Sequence, residues 1–290
     1  MNKLPLATIP GTEVRMLRAA TIDQEFQITV ALPYDYHNHP EKSYPVIYVL
    51  DGNWYFSMVV DMVRIMNTRM SFCDEMPDAI IVGIGYPSGE SLEDLRVRIN
   101  HRRFRDLRPT RNTDMEAWMH QVYPTDEIIE SGHAAEFHDF IKNELLPMIE
   151  SEYRADPTDR SLLGHSLGGI CALDLVFRYP SLFQRYVVVS PASNPAADKL
   201  FTESTVSLPV CMYLAAGELE LAGDAEFNES YYLISKVLKQ RLVGNAPLVE
   251  HIFPNAKHCA VVTPAFHAGL LAVMGLPTPP NTATAKIDPD

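Results

Sequence analysis

Apolar positions along the chain form short continuous runs separated by helical stretches, and the spacing within each run predicts an element. Residues 13–20 and 24–32 read as two strands around a turn at 21–23; the second, QEFQITVAL, alternates in part, as a half-buried strand does. VIYVL (46–50), ending at Asp51-Gly52, and DAIIVGIGY (78–86) are unbroken apolar runs, the mark of strands buried on both faces. Residues 54–66 between them have helical character. From 87 to 132 no core pattern is legible, and a loop of that length inside a compact domain points to a functional lid. In HAAEFHDFIKNELLPMIESEY the apolar residues Phe137, Phe140, Ile141, Leu145, Met148 and Ile149 recur at three and four, which predicts an amphipathic helix whose last turn Pro147 kinks. The alternation then becomes regular: strand SLLG, helix 167–179, strand RYVVVS, strand LPVCMYLAA, helix 225–243, strand PLVEHIFP and helix 263–274.

Strands alternating with helices predict an α/β fold, a mostly parallel sheet with helices on both faces, preceded by an antiparallel N-terminal hairpin. The pattern fits a single domain over 1–275, with 88–133 as an inserted lid. The tail LPTPPNTATAKIDPD (276–290) has almost nothing to bury and is expected to be disordered.

Charge narrows the function classes. A net charge of −13 repels phosphates, which argues against a nucleic-acid binder. No run approaches the roughly 18 apolar residues of a membrane span, and the N-terminal MNKLPLATIPGTEVRM has no segment apolar enough for a secretory signal. The four cysteines (73, 171, 211, 259) are scattered without metal-type spacing, as in a reducing compartment, so a cytoplasmic location is expected. His37 and His39 lack a third ligand, and the histidines of HAAEFH lie five apart, off a shared helix face; neither a metal nor a cofactor is implied.

Candidate chemistry begins at Gly164-His165-Ser166-Leu167-Gly168. A G-x-S-x-G run at a strand-to-helix junction is the nucleophile elbow of an α/β-hydrolase fold, in which a strained turn lifts the serine hydroxyl above the sheet edge. The competing reading is a helix N-cap serine in a glycine turn. A serine nucleophile needs a base, and the base an orienting acid, following here in the chain order Ser, acid, His. After the strand VCMYLAA, GELELAG offers Glu220, with Glu218 as the alternative. After the last strand, HIFPNAKHCAVV places His258 in a loop, whereas His251 falls in a strand and His267 in a helix. The oxyanion hole would take the backbone N–H of Leu167 and a second donor from the Gly52-Asn53 turn.

With those residues in hand, the chain resembles the esterase family of α/β-hydrolases that includes enterochelin and related siderophore esterases, with bacterial mycolyltransferases as more distant relatives. The resemblance rests on YPVIYVLDGNWYF, AIIVGIGY, RRFRDLRPT, FHDFIKNELLPMIESEYRADPTDRSLLGHSLGGICAL, YLAAGELE and HCAVVTPAFHAGL, spread from about residue 44 to 270 in the family's order. It implies Ser166 as nucleophile, His258 as base, an acid within GELE, and cofactor-free hydrolysis of a small-molecule carboxylic ester. In one departure, Asn194-Pro195 stand where many of these relatives carry a pocket-lining aromatic residue.

Between residues 96 and 111 seven arginines accompany one acid, Asp106, a local reversal of sign in an acidic chain. Arg102, Arg103 and Arg105 are candidates to grip an anionic substrate. The alternative is a solvated segment, since 88–133 as a whole holds nine acids. The expected function is thus a serine esterase acting through an acyl-enzyme. A siderophore trilactone esterase, an acyltransferase and a catalytically silent binding protein on the same fold remain open alternatives, as does the oligomeric state.

Overall fold

The computed structural model describes residues 8–277 except 23, 69, 71–75, 88–90, 125–129 and 245–247. The strands are β1 (Thr12–Ala19), β2 (Gln24–Ala31), β3 (Tyr44–Val49), β4 (Ile80–Gly85), β5 (Ala155–His165), β6 (Arg185–Val189), β7 (Cys211–Gly217) and β8 (Leu248–Phe253). They form one eight-stranded sheet in the order β1-β2-β4-β3-β5-β6-β7-β8. β1 pairs with β2 and β2 with β4 antiparallel; every other pairing is parallel. This is the α/β-hydrolase arrangement, with the N-terminal hairpin added at one edge. Among the described residues no helix is long and apolar enough to cross a membrane.

The central strands bury both faces because their neighbours cover both. Along β3 the side chains of Val46 and Tyr48 enter one apolar cluster, and those of Ile47 and Val49 the other. The second cluster packs the sheet against α1 (Gly52–Met66) and α10 (Val262–Val273). The first packs it against α2 (Leu92–Asp106), α3 (Thr113–Val122), α4 (Ala134–Phe140), α5 (Leu146–Glu152), α6 (Leu167–Arg178), α7 (Pro195–Glu203), α8 (Glu218–Gly223) and α9 (Ala225–Arg241).

The structure departs from the pattern read along the chain in several elements. The stretch from 87 to 132 is not irregular, since it carries α2 and α3. Among the described residues of α2 the buried ones are Ile99, His101, Arg103, Phe104 and Asp106; three of these five are polar or charged, which hid the period. β5 is eleven residues long rather than four, because its first half, ADPTDR, is polar and at least partly exposed. Pro147 stands in the first turn of α5. A π turn at Ile141–Leu145 lies just upstream, with the Leu146 N–H reaching back to the Ile141 carbonyl, which accommodates the bond that Pro147 cannot donate. GELE runs from the end of β7 into a short helix, α8. Asn194-Pro195 open a further unanticipated helix, α7, where the Asn194 side chain accepts the Ala197 N–H at 2.9 Å and proline takes the first helical position. The expected tail lies outside the described residues from 278 onward.

Under α6 a histidine is shut into the core. His138 is fully buried, its Nε2 3.3 Å from Cys171 Sγ and its Nδ1 3.4 Å from Asp174. Burial pushes its pKa down to about 3 and raises that of the Cys171 thiol. The unfolded chain therefore takes up a proton on His138 below about pH 6.5 that the folded chain refuses, so this residue's contribution to stability falls with pH. At pH 4 the loss amounts to about 3 kcal/mol. Denaturant unfolding of wild type and His138→Asn at pH 7 and pH 4 checks this. The acid-induced drop should be smaller in the variant by about that amount, and equal drops would refute it.

Candidate active site

β5 ends at His165 and α6 begins at Leu167, so Ser166 alone makes the reversal. It does so at φ 57 and ψ −117, outside the regions where non-glycine residues are comfortable, at an expected cost of about 1–3 kcal/mol. Three backbone hydrogen bonds hold it there. Its N–H donates to Val189 (3.0 Å), and its carbonyl accepts from Ile170 (3.1 Å) and Ala192 (3.0 Å). Ser166 stands at the N-cap position of α6 but makes no side-chain capping hydrogen bond, so its hydroxyl is not committed to the helix.

The glycine at 164 is a steric requirement. A Cβ there would lie 2.2 Å from the Gly168 carbonyl oxygen, in the first turn of α6. At Gly168 a Cβ would meet Asp51 Oδ2 at 3.2 Å and Leu50 Cβ at 3.3 Å, which is tight but no collision.

The other expected members converge at the same sheet edge. His258, in the loop between β8 and α10, places Nδ1 2.5 Å from Glu220 Oε2. Its side chain is 43% exposed, whereas that of Glu220 is 6% exposed. Glu220 Oε1 accepts the Gly217 N–H and the Ser190 hydroxyl, each at 2.8 Å. A carboxylate only accepts, so His258 Nδ1 is the donor in this contact. Glu218 takes a different role: its Oε2 accepts the Asn255 N–H at 2.9 Å. Ser190, at the end of β6 with φ 43 and fully buried, was not legible as a site residue, since a serine after a buried strand carries no chemical signal of its own.

On the opposite side, the Gly52-Asn53 turn opens α1. The Asn53 side chain clamps Tyr86, accepting its N–H at 2.7 Å and donating to its carbonyl at 2.9 Å. Gly52 approaches β4 so closely that a Cβ would sit 2.7 Å from the Gly83 carbonyl carbon. The turn follows Asp51, held at φ 54. Asp51 is buried and bound by both prongs of Arg103, at 2.7 and 2.8 Å, and the guanidinium lies 4.7 Å from the Trp54 ring centre. Burial works against the Arg103 cation, but Asp51 outweighs it and the pKa is raised.

The three candidate arginines therefore separate. Arg103 is committed to Asp51; Arg105 binds Asp106 and Gln24. Arg102 is half-buried. Asp51 was legible only as a strand-ending turn, because nothing local announces a partner 52 residues away.

Similarity to known proteins points the same way. The family described as Putative esterase matches residues 19–129 and 111–228, well over half of the chain. The chain belongs to that family. It is 35% identical over 233 residues to the ferri-bacillibactin esterase BesA of Bacillus subtilis (strain 168), covering 77% of this chain and 75% of that protein. It is 27% identical over 246 residues to the apo-salmochelin esterase of Escherichia coli O6:H1, covering 81% and 71%. The crystal structure of the BES protein from Bacillus cereus superposes with a TM-score of 0.73 at 25% identity, over 94% of this chain and 98% of that one. The chain is a carboxylic ester hydrolase of the α/β-hydrolase type.

Two outcomes check the geometry. Gly164→Ala should destabilise the fold by about 1–3 kcal/mol, the usual cost of forced overpacking, and Gly168→Ala by clearly less; thermal melts that rank them the other way would refute the packing argument. Arg103→Ala leaves the Asp51 carboxylate buried without its partner and should cost about 3–5 kcal/mol, whereas Arg102→Ala should stay within about 0.5 kcal/mol of wild type in denaturant unfolding.

Proposed function

We propose that Ser166, His258 and Glu220 form the catalytic triad of this esterase. The observation that carries the proposal is the buried Glu220 carboxylate, fixed by two donors on one oxygen and 2.5 Å from His258 Nδ1 on the other. Such an acid sets the tautomer of the imidazole and stabilises the cation it becomes. His258 Nε2 takes the proton of Ser166 as Oγ attacks the ester carbonyl carbon. The tetrahedral oxyanion is received by the N–H of Leu167, at the N-terminus of α6, and by a donor of the Gly52-Asn53 turn, at the N-terminus of α1. Collapse of the intermediate expels the alcohol, which takes the proton from His258. Water, deprotonated in turn by His258, then releases the acid and frees Ser166.

The substrate we propose is a siderophore ester, supported by the 35% identity to a ferri-bacillibactin esterase. In this reading α2 borders the site, since its Arg103 reaches the residue preceding the oxyanion turn. Arg102 is then the member of the arginine group left to meet an anionic substrate. We place the enzyme in the cytoplasm, on the ground that Cys171, Cys211 and Cys259 are free thiols.

Fluorophosphonate labelling and ester turnover test the triad. Ser166→Ala and His258→Ala should lose labelling and about three or more orders of magnitude in kcat while staying folded. Glu220→Gln should lose about 10²–10⁴-fold in kcat and Glu218→Gln should remain near wild type; the reverse order would transfer the acid's role to Glu218. A ferric catecholate trilactone should be cleaved with a higher kcat/KM than a short nitrophenyl ester, and a preference for the nitrophenyl ester would overturn the substrate assignment. Transesterified product in the presence of acceptor alcohols would point instead to acyl transfer.

A further inference from the structure

His165 is the variable residue of the elbow motif, and the chemistry above gives it nothing to do. It is nonetheless buried, at 3% exposure. Its ring is held at both nitrogens. The Tyr55 hydroxyl, from α1, lies 2.9 Å from Nδ1, and the backbone carbonyl of His258 lies 3.0 Å from Nε2. A carbonyl can only accept, so Nε2 carries the hydrogen and donates it to His258; Nδ1 is then bare and accepts the Tyr55 hydroxyl. Tyr55 is itself wedged, meeting Phe266 of α10 edge-on at 5.6 Å between ring centres. The His165 and His258 rings also touch, 4.5 Å apart between centres at 44°.

The consequence is geometric. His165 is bonded covalently to Ser166 and hydrogen-bonded to the main chain of His258. A single imidazole therefore ties the nucleophile's neighbour to the loop that carries the base, and α1 orients that imidazole. We infer that His165, oriented by Tyr55, is a positioning residue that sets the reach between His258 and Ser166. The inference rests on the triad reading given above.

The environment suits the role. Burial, and then the neighbouring His258, push the His165 pKa down to about 3, so the ring stays neutral when His258 becomes a cation during attack. Burial also raises the pKa of the Tyr55 hydroxyl, which keeps its proton to donate.

The test compares two amides of different reach at position 165. The glutamine amide can put an N–H where Nε2–H stands; the asparagine amide is one methylene shorter and cannot. His165→Gln should keep kcat within about threefold of wild type. His165→Asn should lose about ten- to a hundredfold in kcat with KM nearly unchanged, the scale of a misplacement of about 1 Å. Fluorophosphonate labelling of Ser166 should slow by the same factor. Tyr55→Phe, which removes the hydroxyl that holds Nδ1 and leaves the ring free to turn, should fall between the two. Thermal melts confirm that each variant is folded, and if His165→Asn is not, Tyr55→Phe decides.

A residue that served only packing would lower the melting temperature without a split between kcat and KM, and without rescue by glutamine. Wild-type kcat in His165→Asn, or equal losses in Gln and Asn, would overturn the inference. Ser166→Ala, run alongside, separates the two levels. Retained turnover there would remove the triad reading and this inference with it. An inactive Ser166→Ala beside a fully active His165→Asn would remove the positioning role alone.

Discussion

The backbone of Ser166 is the constraint around which the rest of the site is arranged. A side chain at φ 57 and ψ −117 is held against its own preference, and it stays there because β5 runs into the sheet on one side and α6 packs back on it from the other. The hydrogen bonds that pin it come from the end of β6 and the loop beyond, at Val189 and Ala192. Gly164 is the condition for that closeness, since any Cβ would strike the Gly168 carbonyl. Local strain at the elbow is thus offset by long-range pairing in the middle of a parallel sheet, which is the least deformable part of the molecule.

Around that point the sheet edge gathers groups from five separate strand ends. β3 leads to Asp51 and the Gly52-Asn53 turn, β5 to Ser166, β6 to Ser190, β7 to Glu220 and β8 to His258. Parallel strands make this possible, because all their C-termini open on one side. Buried polar contacts then lock the pieces together: Ser190 with Glu220, Arg103 with Asp51, His165 with the His258 carbonyl. Each removes a charge or dipole from water and satisfies it in one geometry only, so each specifies position more than it adds stability.

Much of the fold was legible because its strands are continuous apolar runs and most of its helices keep a clean period. What escaped did so for a physical reason. The inward face of α2 contains Arg103 and Asp106, so a helix that packs on the core reads as a charged loop. The first half of β5 contributes backbone pairing without burying apolar side chains, and α8 is a six-residue turn built around a carboxylate that caps it. In the proposed triad, Ser166 and His258 are singled out by motif and chain order. Glu220 and Glu218 are two residues apart in one segment; only the direction in which the first turn of α8 points each carboxylate, one to His258 and one to the Asn255 backbone, distinguishes them.

The sequence alone therefore determined the alternation of strands and helices, the parallel sheet and the place of the elbow, because these depend on the local period of hydrophobicity and on the spacing of glycines around a serine. Tertiary structure decided which arginine is spent on a buried aspartate, which glutamate meets the histidine, and that His165 bridges the elbow to the base loop. Those contacts join residues 38 to 93 positions apart. They exist only once the strands have brought their ends together, and no local propensity along the chain encodes a partner at that distance.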